Sequence, residues 1–539
     1  MPYPWSTEMT PETSPVLTSA APGATTVADE TDVYAISGAD PEVLAYAMAK
    51  YSRSSLSMRE SLAEISTQRA EQFLNTFYFQ YGHRSIADLA HVAFAIERLS
   101  LLAAISLVDE QRWDGQERST RYQNFRKSGW FLPEFGPETT LKERYIQTIT
   151  LLFATYEQVS ARMLDVLKGQ IPCPTEMKPD AYERTLKARA FDVARYLLPL
   201  ATNTSLGQIV NARTLEQQIS RLLTSEHAEI RKLGERLRDA ASTPSWNVQR
   251  AALEKLVREA ESCDAGLGAR ARESLLREVK TAPTLVKYTT PCAYESATRE
   301  ELRQAAAALM NGQQIKAAPV VDLVEAGNDG EALEVELATT LLYGACHYSY
   351  RQLQQHVEAL DSARRNEIIA VGTRHRGRHD ELLRTFSSGY TFRFDVLMDI
   401  GGFRDMHRHR RCIQILQDYT TAHGYDIPEG LTTAGLQPLY DEAMAAAFAT
   451  VEAIGRADFS EAKQTAQYAL PLGTRCRSLF KMDFAEALYI SELRSGQAGH
   501  FSYRRVAWEM YLAIEKRYPA LAEHFRVTDI NEPVDLLKR

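Results

Sequence analysis

Residues 404–411 read RDMHRHRR and gather four arginines and two histidines into eight positions. Side chains of this kind bind oxyanions, because the planar guanidinium fork matches phosphate or carbonyl oxygens better than an ammonium does. On a continuous helix Arg404, Arg408 and Arg411 fall at i, i+4 and i+7 and share one face. Phe403, Met406, Arg410 and Ile413 form the neighbouring, mostly apolar stripe. Arg410 is therefore expected to point into a buried surface, where an unpaired charge needs an anion or several acceptors. The plainer alternative is a helix whose arginines pair with carboxylates of neighbouring elements. A metal site is disfavoured, because intervening arginines repel a cation. His375 and His379 have ligand-like i, i+4 spacing, yet "HRGRH" carries two arginines and lacks the acid of a zinc-protease helix.

The cluster sits in an acidic chain. The 539 residues carry a formal net charge of −8, with 45% hydrophobic and 24% charged residues, as in a soluble globular protein. Length alone favours several domains. The charge argues against a nucleic-acid binder with a globally basic surface, so no nucleic-acid partner is expected. The residual RNA-binding reading of "RHRGRH" and "HRHRR" would show itself as strong salt dependence. Six scattered cysteines without a CxxC pair fit reduced thiols in a cytoplasmic protein. Residues 1–30 hold five prolines and neither Lys nor Arg, and read as a disordered leader without an export signal. The longest apolar stretch, "HVAFAIERLSLLAAISLV", is broken by Glu97 and Arg98, so no membrane span is expected. No GxGxxG follows a strand, and "DIGGF" offers only a glycine pair.

The elements that must position the cluster occur twice. A short strand from Val33 to Ile36 leads to Asp40 as a helix cap and Pro41 at the first helical position. The same order returns from Pro319, in "PVVDLVEAGNDGEALEVELATTLLYGACHYSYRQ". Later, "RYLLPLATNTSLGQIVNARTLEQQISR" from Arg195 is matched by "QYALPLGTRCRSLFKMDFAEALYISELR" from Gln467. Pro199 to Asn211 and Pro471 to Asp483 are both 12 residues. Fixed order at long period marks a duplicated domain. The expected layout is a leader (1–30), a first domain (31–237), a helical connector (238–317) and a second domain (318–539), with a helix-rich α+β fold. In the connector, Val248, Ala252, Leu256 and Glu259 form one helical stripe, and Thr298 with Glu301 forms a capping box.

Comparing the halves gives the cluster a context. Arg-His-Arg, seven residues, then Ser-x-Arg is the signature of the flavin-dependent thymidylate synthases. The second half holds Arg408-His409-Arg410 but then Asp418-Tyr419-Thr420. The first half holds Ser119-Thr120-Arg121, preceded at the same spacing by Asp109-Glu110-Gln111. Each half keeps the piece the other lacks. "YGHRSIADLAHVAFAIERLS" resembles the family's Gly-x-His-x-Ser segment, with His83 and Ser85, and "GRHDELLRTF" is its counterpart, keeping His379. The late segment is similar at Arg195, Asn211, Arg213 and Arg221. Its second-half counterparts are Gln467, Asp483, Ala485 and Arg494.

The resemblance implies a fold of two tandem domains forming a pseudo-dimer, with a nucleotide bound between them. In the family one subunit supplies the Arg-His-Arg segment and a terminal arginine, and the other the Glu-x-Ser-x-Arg loop and the arginine before Leu-Pro. Carried over, one composite site survives: Arg408 and Arg494 from the second half, with Glu117, Ser119, Arg121 and Arg195 from the first. Arg408, Arg494 and Ser119 would be its catalytic residues. The resemblance further implies FAD held by His83, Ser85, Asn211, Arg213, His379, Arg408, His409 and Arg410. NADPH and methylenetetrahydrofolate would be co-substrates, the reaction dUMP to dTMP, and the assembly a homodimer of the fused chain. The cofactor would do the hard chemistry, with no protein nucleophile. The Pro-Cys pairs at Cys173 and Cys292 have the form used by unrelated thymidylate synthases, but lack a matching context and are read as incidental. Asp405 stands where the family usually has a Gln contacting the base, Arg411-Cys412-Ile413 replaces a more polar run, and Asp483 replaces an Asn. These departures fit another pyrimidine nucleotide as substrate, or a non-catalytic nucleotide- or flavin-binding paralogue.

Overall fold

The computed structural model describes residues 40–50, 57–64, 67–80, 84–324, 330–375, 392–482, 484–517 and 525–537, with single positions between them. The expected leader, Val33 of the first expected strand, His83, His379 and Asp483 lie outside the described residues. Pro41 opens the helix Pro41–Lys50 as expected, while the Asp40 carboxylate is paired with Arg277 at 2.7 Å.

The two halves repeat one order of elements. In the first, β1 (His91–Ser100) runs into α1 (Leu101–Leu107), β2 (Asp114–Glu117), the long α2 (Thr139–Gln170), β3 (Asn203–Asn211) and α3 (Ala212–Leu223). In the second, after β4 (Val321–Leu323), β5 (Phe392–Asp399) runs into α4 (Ile400–Met406), β6 (Ile413–Leu416), α5 (Gln437–Gly455), β7 (Arg475–Met482) and α6 (Phe484–Ser495). A last long helix, α7 (Phe501–Arg517), follows. Both sheets are antiparallel, in the orders β1-β3-β2 and β4-β5-β7-β6. Each half turns from strand to helix at a residue that can cap: Ser100 accepts from Ala103 N–H, and Asp399 from Gly402 N–H. The fold is helix-rich α+β, built from a tandem duplication.

The duplicated segments meet each other. Pro199 and Pro471, equivalent by sequence, face one another in an antiparallel bridge. Around them Leu200 N–H donates to Leu470 O, and Leu472 N–H to Leu198 O, both at 2.9 Å. Equivalent surfaces pairing reciprocally is the mark of an isologous, dimer-like contact. The largest apolar core straddles this seam, with Leu101, Tyr145 and Tyr196 of the first half packed among Phe394, Phe403 and Tyr440 of the second. Burial of that kind stabilises by about 25 cal/mol per Å² of apolar surface, so the halves hold together as a core does.

Three local expectations are corrected. α4 stops at Met406, and residues 408–411 form a turn into β6, so Arg404, Arg408 and Arg411 share no helix face. The cause is tertiary: Ile413–Leu416 pairs with β7, and the chain must leave the helix to reach it. Phe403 and Met406 are buried as expected, but Arg410 is only half-buried. In the connector, Val248 and Leu256 are exposed at 73% and 53%, and Val257 is the residue that packs. The helix expected to begin at Thr298 spans Ala293–Leu309, so Thr298 is buried inside it and caps nothing. Among the described residues no helix is long and apolar enough to cross a membrane.

Candidate functional site

The corner between β5 and α4 lies against the segment Arg195–Leu197 of the other half. Asp399 caps α4 and accepts from Tyr196 OH at 3.0 Å, which ties the corner to the residue after Arg195. Nearly two turns along α4, Asp405 Oδ2 accepts from Arg195 Nη1 at 3.3 Å. Arg195 is 1% exposed, and among the described residues its Nε and Nη2 have no hydrogen-bond partner. Burial works against the charge on Asp405, but Arg195, then Arg121, Arg408 and Arg494, outweigh it and hold the carboxyl below the ordinary range. Two arginines of each half therefore converge on one acidic side chain.

The partners of these arginines differ. Arg121 is buried and bidentate on Asp192, at 2.7 and 3.2 Å, and it donates to Tyr503 OH at 2.8 Å and Ala498 O at 3.2 Å. Arg494 Nε donates to His409 Nε2 at 2.7 Å, and its guanidinium lies 5.3 Å from the Tyr503 ring, which Arg121 approaches to 5.7 Å. Burial lowers the pKa of His409, although Glu486 at 3.7 Å pulls the other way. A neutral imidazole accepting at Nε2 fits that direction. Arg408 is exposed at the mouth of the cluster. Ser119 Oγ accepts from Arg121 N–H at 3.2 Å. Glu117 is engaged by Arg404, whose Nη1 also reaches Thr120. Nearby His500 is buried, which with Arg195 drives its pKa down to about 3, so the ring is neutral.

Beyond His409 the surface opens. A cavity of about 1010 Å³ is lined by Arg84, Arg213, His409 and Arg410, together with Tyr288 and Cys292 of the connector. A second, of about 400 Å³, is lined by Asn211, Trp113 and Arg410. Arg410 faces both, lies 4.5 Å over the Trp113 ring, and among the described residues has no hydrogen-bond partner at Nε. Asn211 Oδ1 caps α3 through Thr214 N–H at 2.8 Å. Arg213 reaches Asp88 at 3.3 Å. Ser85 is exposed. An orphaned buried donor beside a large cavity fits a large anionic group such as a dinucleotide. His375 bonds Glu301, which also takes Arg374.

Two of the sequence-equivalent positions on the other side of the seam, Arg221 and Asp418, are taken up in ion pairs within the chain. Arg221 contacts Glu110 at 2.9 and 2.8 Å. Asp418, which stands for Ser119, pairs with Arg303 of the connector at 3.2 Å. Asp192, Tyr503, Trp113 and the Arg404–Glu117 pair were not singled out from the sequence, since no local spacing marks them. Only the departure at Asp405 was visible there.

The sequence model of the family described as thymidylate synthase complementing protein matches residues 35–243 and again 331–520. A UPF0159 protein of Chlamydia pneumoniae is 27% identical over 94% of this chain and 93% of its own length. A UPF0159 protein of Thermoplasma acidophilum is 24% identical over 90% of this chain and 95% of its own. A flavin-dependent thymidylate synthase of Clostridium tetani is 25% identical over 36% of this chain and 75% of its own. Among solved structures, flavin dependent thymidylate synthase ThyX from Helicobacter pylori complexed with FAD and dUMP is similar at 16% identity, with a TM-score of 0.25, over 38% of this chain and 89% of that one.

Proposed function

The chain belongs to the thymidylate synthase complementing protein family, and from that premise we propose that it is a flavin-dependent enzyme that methylates dUMP to dTMP at one composite site between its halves. Methylenetetrahydrofolate and NADPH would be its co-substrates. The observation that carries this reading is the convergence of Arg121 and Arg195 with Arg408 and Arg494 around Asp405. Sequence equivalents of the Ser-x-Arg and Arg-His-Arg pieces across the seam are Asp418-Tyr419-Thr420 and Asp109-Glu110-Gln111, which cannot hold a nucleotide dianion in the same way.

FAD, when bound, supplies the redox chemistry and carries the one-carbon unit. Asn211, Arg213, His409 and Arg410 would hold it along the two cavities, with His83, Ser85 and His379 joining them on resemblance alone. Arg408, exposed at the mouth, would take the phosphate. Arg494, held by His409 and backed by Tyr503, would face charge building on the ring carbonyl oxygens, where a fixed donor in a dry site is worth about 2–4 kcal/mol. Ser119 and Glu117 would orient the nucleotide from the first half. The fused halves would pair as a homodimer.

A non-catalytic paralogue is the second reading, and the saturation of Arg121 by Asp192, Ala498 and Tyr503 favours it. The test is flavin release from FAD-saturated, desalted protein, followed by dUMP-dependent flavin oxidation with methylenetetrahydrofolate. One FAD per chain with turnover supports the enzyme. Flavin without turnover supports the paralogue. No flavin defeats both flavin readings.

A further inference from the structure

We propose that Tyr288 of the connector is a stacking platform for the adenine ring of a dinucleotide cofactor in the larger cavity. The inference rests on the reading that a dinucleotide occupies that cavity. It adds a residue from outside both segments that the family model matches, 35–243 and 331–520.

Tyr288 lines the cavity of about 1010 Å³ together with Arg84 and Arg213, and it is 63% exposed. A single exposed ring is ordinary on a protein surface; this one is also fixed in place. Its edge packs against the Phe79 ring, with centroids 4.8 Å apart at 81°. Lys287 Nζ lies 4.9 Å from its centroid and is itself held by Asn75 Oδ1 at 2.6 Å. The backbone on either side is tied down as well. The N–H groups of Thr284 and Leu285 donate to the buried Glu42 carboxylate at 2.7 and 2.8 Å, and Thr290 O accepts from Ser220 Oγ at 2.7 Å. Leu285 and Val286 are buried in the core of the first half. A ring held this way has little freedom left to lose when a ligand settles on it. Flat heterocycles stack on such rings, and every base has a π-face to offer. Arg84 and Arg213 on the same cavity supply forks for the phosphates of the same molecule. A fixed ring beside two guanidinium groups matches an adenine nucleotide better than an apolar ligand.

The test is titration of the full chain, as parent, Y288A and Y288F, with FAD, FMN and NADPH. Y288A should weaken FAD about fivefold or more, the low end of what stacking a base on an aromatic side chain contributes. FMN has no adenine and should bind parent and variant alike. Y288F keeps the ring and should keep the affinity for FAD. Because Tyr288 is largely exposed, Y288A should melt at the parent's temperature, so that the loss is one of binding. A loss confined to NADPH supports the platform and assigns it to the adenine of the nicotinamide cofactor. If FAD and FMN weaken equally, or neither dinucleotide weakens, the platform is overturned while the cavity reading stands. A parent that binds no dinucleotide overturns the cavity reading and this inference together.

Discussion

Asp399 sits at the seam of the halves, and the cost of burying it can be measured. It caps α4 through Gly402 N–H at 2.6 Å and accepts from Tyr196 OH at 3.0 Å and from Ser502. Burial pushes its pKa from 3.8 up to about 6, even though Arg195 nearby favours the charge. At about 1.4 kcal/mol per unit, that shift corresponds to about 3 kcal/mol. Between the unfolded and folded values the folded protein keeps a proton that the unfolded chain has released. This contribution to stability is therefore complete below about pH 4 and is lost as pH rises through about 6. Asp399→Asn removes the ionisation but keeps an acceptor suited to an N-cap. Relative to the variant, the parent should lose about 3 kcal/mol between about pH 4 and pH 7. Chemical denaturation of both proteins across that range gives the difference directly, because other titrating groups cancel. A difference that does not vary with pH, or that grows in the parent's favour, would refute the reasoning.

Other perturbations probe the site itself. Arg408→Ala should weaken dUMP binding about tenfold or more, as for a charge-assisted hydrogen bond of about 1.5–3 kcal/mol, whereas Arg221→Ala across the seam should leave it unchanged; equal losses in titration would remove the asymmetry. Trp113→Ala takes away the ring 4.5 Å beneath Arg410, and should lower flavin affinity by the equivalent of about 0.5–2 kcal/mol, read by fluorescence titration. Asp192→Ala leaves the buried Arg121 without its carboxylate, and should cost about 3–5 kcal/mol, seen as a lower melting temperature. An unchanged melting temperature would mean that Arg121 finds another partner.

What could be read in advance followed from symmetry and cap chemistry. The equal spacing from Pro199 to Asn211 and from Pro471 to Asp483 marked two equivalent segments, and both fold alike, into the strands β3 and β7 followed by helices. Asn211 falls at the start of a helix with its side chain as the cap. What could not be read depended on contacts across hundreds of residues. The helical spacing of Arg404, Arg408 and Arg411 was real in the sequence, but β6 pairs with β7 and ends the helix first. The connector stripe through Val248 and Leu256 has the period of a buried face, yet no element covers it in the described chain, and those side chains are exposed. Asp405 and Arg195 are 210 residues apart, as are no partners that local spacing could suggest.

Under the proposed composite site, the two sides of the seam differ in their charges. On one side stand Arg121, itself bidentate on Asp192, with Arg195, Arg408 and Arg494, and Asp405 occupies one edge of Arg195. At the equivalent positions opposite stand Thr420, Gln467, Asp109 and Arg221, and Arg221 is already bidentate-like on Glu110. A dianionic phosphate brought there would have to displace the partly buried Glu110 carboxylate from Arg221, trading one ion pair for another. In a true homodimer each such substitution would damage both sites at once. In a fused chain the two copies of each position are separate, so Asp109 and Asp418 burden one side and leave Arg408 and Arg121 untouched on the other. On the proposed reading, the covalent link between the halves is what would let one site be lost while the other keeps Arg195, Arg408 and Arg494.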